Sequence, residues 1–426
     1  MGLTLTQKII ARAAGVTSVA PGEIVTCRVD LAMMHDSGGP RRVGPMLERL
    51  GAKVWDPSKV VVIADHYVPA IDADSAAILD LTRKWVKAAG ITRFHDMQGI
   101  CHVVLPERGH LRPGLFAVGG DSHSPTAGAF GCFMFGVGAT EMAGVLVTGA
   151  IWLRVPQEHS VRWDGRLTTG VVAKDMVLAM CRTISLNGIK YGVVEYAGEA
   201  IAALSMSERM VLTNMTAELG AQTGIIAPDR TTVAYLAEVG VDAPDAITWQ
   251  SDADSTPFKR WAFDATSLEP QIAAPHSPAN SAPAREHRGT AIDQCYIGAC
   301  TGAKLSDLHM AAEILKGRKV APGTRLLVAP ASTRITAIAA ADGTLATLAE
   351  AGAILLPSGC GACAGLGAGL LAENEVCLSS TARNFKGRMG AASALVYLGS
   401  PYSVAAAAVA GHIVDPRELL AEQAAA

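Results

Sequence analysis

The chain has 426 residues, half of them apolar and only 5% aromatic, with 43 glycines and a formal net charge of −3. That length exceeds one hydrophobic core, and the composition is that of a globular α/β protein rich in tight turns. With no long basic run the chain argues against nucleic acid as a partner, and apolar stretches such as residues 143–155 are broken before they reach membrane-spanning length.

In chain order, "MGLTLT" fits the loose myristoylation pattern but runs directly into the amphipathic "TLTQKIIARAAG", which reads as a helix start. No basic segment followed by an apolar core precedes it, so a cytoplasmic location is expected. Short apolar runs then alternate with helical patterns. "KVVVIAD" (59–65), "LFAVGGDS" (115–122), "TRLLVAP" (324–330) and "AGAILLPSG" (351–359) read as buried strands, each ending in a turn. "KLSDLHMAAEILKG" places Leu305, Leu308, Ala312 and Leu315 on one helical face. This alternation predicts an α/β fold with largely parallel sheets, whose chemistry gathers at the carboxyl ends of strands. Residues 248–288, rich in Pro, Ser and Asp, read as a linker between domains. The alanine-rich C-terminus reads as a packed helix.

The strand ends carry polar groups in succession: Asp65 and His66, His102 beside an apolar run, then Asp121, Ser122 and His123 in a glycine-rich loop. Glu195 stands inside the apolar strand "YGVVEYAG", and "SSTARNFKGRMG" offers Arg383 and Arg388. A single turn histidine is ordinarily a satisfied polar residue, and Asp and Ser favour turns on their own account. Adjacent Asp-Ser-His cannot form a hydrolase triad, because neighbouring residues of an extended loop point apart. A carboxylate within an apolar strand needs a partner. Several such groups at the strand ends of one chain together favour a site.

Nine cysteines occur, an odd number in a chain without an export signal, so reduced thiols are expected, most of them small core residues. Cys360 and Cys363 form a CxxC in the glycine-rich "SGCGACAGLGAG", and Cys300 follows a short strand in "CYIGACTG". Cys300 precedes the helix starting near Lys304, and Cys363 precedes a second helical pattern, positions that favour thiolates. Three readings compete: a dithiol redox pair, which leaves Cys300 unused; structural zinc, which needs a fourth ligand; and an iron–sulfur cluster with one iron lacking a protein ligand.

The motifs "MMHDSGGP", "ADHYVPA", "GICHVVLPE", "GDSHSPTAGAFGCFMFGVGATEMA", "VVEYAG", "NMTAELGA", "YIGACTG", "GCGACAG" and "RNFKGRMG" span nearly the whole chain. In these the sequence resembles the aconitase family, and within it the large subunits of the 3-isopropylmalate dehydratase and homoaconitase type. The resemblance implies three α/β domains around a central cluster, 1–130, 131–285 and 286–426, without the family's swivelling fourth domain. It implies a [4Fe–4S] cluster on Cys300, Cys360 and Cys363, with one open iron that binds the hydroxyl and a carboxylate of a hydroxy-dicarboxylate. It implies that His66, oriented by Asp65, acts as the acid pair, that His102 and His123 lie near the cluster, and that Glu195 pairs with one of them. Arg383 and Arg388 resemble the substrate and cluster-site arginines, with Asp121 and Ser122 positioning groups in the same loop.

The sequence departs from the family pattern in having Cys300-Thr301-Gly302 where Cys-Thr-Asn is frequent, and Ala382 before "RNF" where Asn is frequent. Both bear on the substrate. No segment after "PREL" resembles the swivelling domain, so a separate small subunit carrying the catalytic base is the expected partner. The reaction implied is reversible dehydration of a diacid, 3-isopropylmalate first, with homoaconitate, dimethylmalate and citramalate or maleate as alternatives. From other classes, an iron-responsive RNA-binding protein and a dithiol oxidoreductase remain open.

Overall fold

The computed structural model describes residues 2–425. The first helix, Leu5–Ala14, starts where a capping box allows it: Thr4 Oγ1 accepts from the Gln7 amide and the Gln7 side chain accepts from the Thr4 amide. Such a box contributes about 1 kcal/mol. The helix ends at Gly15 in the left-handed conformation.

Behind it lies a five-stranded sheet in the order Arg93–Asp96, Val60–Ala64, Leu31–His35, Phe116–Gly119, Phe133–Gly136, with every pairing parallel. Its central strands are buried on both faces, as continuous runs such as Val60-Val-Val-Ile-Ala64 require. Phe133–Gly136, beyond the boundary expected at residue 130, hydrogen-bonds to Phe116–Gly119 and completes this sheet. A two-stranded antiparallel ribbon, Ile24–Arg28 with Ala150–Arg154, flanks it.

A second, all-parallel sheet takes the order Thr223–Ile226, Val193–Ala197, Glu158–Asp164, Lys259–Asp264. The third sheet has seven strands: Ser281–Pro283, Gln271–Ala273, Leu395–Leu398, Val376–Ser379, Gln294–Ile297, Arg325–Val328 and Ile354–Leu355. Its last five are parallel, and the first two join antiparallel. Largely parallel α/β layering is therefore as the sequence predicts.

The segment read as a linker is corrected here. Residues 248–288 donate Lys259–Asp264 to the second sheet and two strands to the third. These strands are short, and Lys259–Asp264 and Ser281–Pro283 sit at sheet edges, where a weak pattern suffices. The alanine-rich helix Pro401–Ala410 is buried almost throughout, and Pro416–Ala425 forms a further helix. No helix of the described residues is long and apolar enough to cross a membrane.

Candidate functional site

The carboxyl ends of the first and third sheets supply most of the candidate groups. The strand Leu31–His35 ends in His35 and Asp36, and Val60–Ala64 is followed by Asp65 and His66. Asp36 fixes that second turn, accepting from the His66 amide at 3.0 Å and the Tyr67 amide at 2.8 Å. Asp65, fully buried, lies with Oδ1 2.7 Å from His66 Nδ1 and accepts from the Cys101 amide at 2.7 Å through Oδ2. The rings of His35 and His66 stack at 4.1 Å. Burial opposes protonation of His66, but negative charge on Cys360 and the Asp65 carboxylate outweigh it and raise the imidazole well above its ordinary range.

His102 stands in the first turn of the helix Cys101–Glu107, with Nε2 2.7 Å from Asp121 Oδ1. The same Asp121 oxygen accepts from the His123 amide at 2.7 Å. Burial would raise Asp121, yet His102 and His123 beside it hold its carboxyl well below the usual range. His123 Nε2 lies 3.3 Å from Glu218 Oε1, an oxygen that also accepts from Arg383 Nε at 2.6 Å. Burial and the Arg383 charge lower the His123 imidazole. Arg383 Nη1 donates to Ser122 Oγ at 2.8 Å, closing a ring of polar contacts between the first and third sheets.

The three cysteines come from two turns of the third sheet. Cys300 follows the strand Gln294–Ile297, after Ala299 in a left-handed conformation (φ 67°) that costs a residue with a Cβ about 1 kcal/mol or more. Cys360 precedes the 3₁₀ turn Gly361–Ala364, and Cys363 lies within it. The Cys360 amide donates to the Asp65 carbonyl at 2.8 Å, which ties the cysteine turn to the acid pair. Burial raises the Cys300 thiol, and the nearby Cys363 and Cys360 raise it further. Cys360 is pushed up to about 11 by burial, despite the His66 charge.

The expectation of thiolates at helix starts is thus corrected. No helix follows Cys363: Gly365, Gly367 and Gly369 adopt φ of 72°, 73° and 90°, which a right-handed helix cannot contain. Cys300 lies in the turn ahead of the helix Leu305–Leu315, whose start is capped by Asp307. Deprotonation of the buried Cys300 and Cys360 thiols has to come from what they bind.

Glu195 does not join the others. In the middle of the second sheet its Oε2 accepts from Ser251 at 2.7 Å, and its neighbour is a second carboxyl group, Glu158. Burial, and then Glu195, push Glu158 up to about 8. The carboxylate beside His123 is Glu218, from the 3₁₀ turn Thr216–Leu219. Arg388 makes no side-chain hydrogen bond to the site among the described residues, and its buried Nε is without a partner.

Sequence reasoning also passed over His35, Asp36, Asn214 and Lys174. The first two obey the strand-end rule that singled out Asp65 and His66. Asn214 donates to Cys300 Sγ at 3.1 Å and to Thr126 Oγ1 at 2.8 Å. Lys174 is buried and donates to the Thr381 carbonyl at 2.6 Å and the Ser380 carbonyl at 3.0 Å. Burial lowers it to about 8, against the pull of Cys300. A helical lysine and a helical asparagine have no local signal; only the fold brings them behind the thiols.

Single zinc fits this arrangement poorly. A 2.3 Å Zn–S bond implies thiols about 3.8 Å apart. Among the described residues, the groups with three ligand atoms within 4.8 Å of one another are His35–Asp36–Asp65–His66 and His102–Asp121–His123, and neither contains a cysteine. Three soft thiols set wider than one ion's shell, with a donor amide on one and an unpartnered buried hydroxyl (Tyr296) nearby, fit a larger iron–sulfur group. A surface groove of about 640 Å³ lined by Glu107, Arg230 and Arg334 holds none of these residues.

The profile of the aconitase family (aconitate hydratase) matches residues 7–288 and 282–411. The chain belongs to the aconitase family. It is 44% identical, over 99% of its length and all of the relative's, to 3-isopropylmalate dehydratase large subunit 1 of Methanopyrus kandleri. It is 42% identical, over 98% of each chain, to the probable methanogen homoaconitase large subunit of Methanothermobacter thermautotrophicus. The fold is shared with aconitase X of Thermococcus kodakaraensis, at a TM-score of 0.52, 14% identity and 84% coverage of both chains.

Proposed function

We propose that this chain is the large, catalytic subunit of a hydro-lyase that interconverts 2- and 3-isopropylmalate by dehydration and rehydration, a step of leucine biosynthesis. The observation that carries this reading is the juxtaposition of the three cysteines with the hydrogen-bonded His66–Asp65 pair and the His123–Glu218–Arg383 chain. Cys300, Cys360 and Cys363 would hold a [4Fe–4S] cluster, which would supply a Lewis-acidic iron to make hydroxide a tolerable leaving group.

The chain's own residues do the rest. His66 carries the proton that turns departing hydroxide into water, and Asp65 keeps that proton on the correct nitrogen. Arg383, pinned in plane by Glu218 and Ser122, presents a guanidinium edge suited to a carboxylate. His123 and His102 are held by Glu218 and Asp121, so their ring orientations are set before substrate arrives. No group of this chain is assigned as the base that removes the carbon-bound proton, and we assign it to a separate small subunit. Homoaconitate is the second reading, since relatives of both names lie within two percentage points of one another.

The test is turnover after anaerobic cluster loading, with and without an isopropylmalate dehydratase small subunit, on 3-isopropylmalate and homoaconitate. Activity on 3-isopropylmalate only with the small subunit present is the expected result. Full activity of the large chain alone would contradict the division of labour, and preference for homoaconitate would reassign the substrate.

A further inference from the structure

Tyr296 occupies the central strand Gln294–Ile297 of the third sheet, is 0% exposed, and packs with Ala362, Leu371, Cys377 and Met389. Its hydroxyl makes no hydrogen bond among the described residues. A buried phenol without a partner costs roughly 1–3 kcal/mol relative to one that is paired, so its position calls for an explanation.

The hydroxyl lies between the two turns that carry the cysteines. A Cβ built on Gly298, two residues before Cys300, would sit 2.6 Å from the hydroxyl oxygen and 2.2 Å from the ring. One built on Gly361, between Cys360 and Cys363, would sit 3.7 Å from that oxygen. Both turns are thus bare of side chain where they face it. The other hydroxyl on this wall, Ser380 Oγ, is already engaged, donating toward the Gly298 and Gly302 carbonyls and accepting from the Gly298 amide. A phenol is a donor at neutral pH, and the cysteines of the two turns on either side would bring sulfur, an acceptor, to it.

Resting on the cluster reading above, we propose that the Tyr296 hydroxyl donates a hydrogen bond to a sulfur of the iron–sulfur group held by Cys300, Cys360 and Cys363, and so tunes its reduction potential. A donated hydrogen bond stabilises the more negative, reduced form, and the potentials of such groups respond to bonds of this kind. Tyr296 is then a positioning residue acting through the cofactor, with no contact to substrate.

The experiment compares wild type and Tyr296→Phe after anaerobic loading with iron and sulfide. The readouts are iron per chain, the midpoint potential by EPR-monitored titration, and the shift of Fe–S stretching bands in D2O. Phe keeps the ring in its pocket, so folding and iron content should match wild type. The expected result is a midpoint displaced to more negative potential and a smaller D2O shift in Tyr296→Phe. Equal iron with unchanged midpoint and unchanged D2O shift would overturn this inference and leave the cluster reading intact. Failure of the wild type itself to take up iron would overturn both.

Discussion

At the scale of single residues, two glutamates separate the chemistry of the site from the mechanics of the fold. Glu195 attracts attention in the sequence because a carboxylate inside an apolar strand demands a partner, and it has one: Ser251, with Glu158 beside it. Glu218 sits in "TAEL", where nothing local distinguishes it from a solvent-facing turn acid, and only tertiary structure brings it to His123 and Arg383. Glu218→Gln should lower turnover of the loaded, two-subunit enzyme by about 10–100-fold, the range for partners that orient reactive groups. Glu195→Gln should leave kcat within about twofold; steady-state kinetics of the two variants side by side checks the assignment. Glu158 yields a prediction about stability instead. Its carboxyl titrates near 8 in the folded chain against about 4.3 when unfolded. Between those pH values the folded state binds more protons, so stability falls as pH rises through the window. The thermal midpoint should therefore drop from pH 5 to pH 8.5, and Glu158→Gln should flatten that slope, by on the order of a few kcal/mol at the alkaline end. An equal slope in both proteins would remove Glu158 as the cause.

At the scale of elements, the parallel strands explain why so much of the site was legible. Continuous apolar runs ending in Asp, His or Cys mark the carboxyl edge of a parallel sheet, and that rule alone finds Asp65, His66, Asp121 and Cys300. It fails where the apolar signal is short or the turn is mostly glycine. The short strands of residues 259–283, two of them at sheet edges, look like a linker because short edge strands need no two-sided apolar pattern. The segment after Cys363 reads as a helix by composition, yet its glycines take left-handed φ. One close approach between elements carries much of the geometry. The 3₁₀ turn Ser124–Phe130, which follows His123, packs against the strand Thr223–Ile226, and a Cβ on Gly128 would meet the Gly224 carbonyl at 1.7 Å. Gly128→Ala should cost about 3 kcal/mol or more, since both neighbours are backbone and neither can yield locally. Thermal denaturation should show the loss, and iron uptake should fall with it, because the displaced turn directly follows Asp121 and His123.

At the scale of the whole molecule, the first and third sheets face their strand ends toward one another, and hydrogen bonds such as Arg383 to Ser122 and the Cys360 amide to the Asp65 carbonyl bridge them. The acid pair and the thiols therefore belong to different sheets, and the site exists only when both are assembled. That arrangement makes the cysteines the test of the central claim. The deciding measurement is anaerobic reconstitution with iron and sulfide, counting iron per chain in wild type and in Cys300→Ser. About four irons in wild type, and a clear loss in the variant, are expected for a three-cysteine [4Fe–4S] site. No iron retained by wild type, or equal retention by Cys300→Ser, would contradict the account and return the CxxC to a dithiol or to another metal.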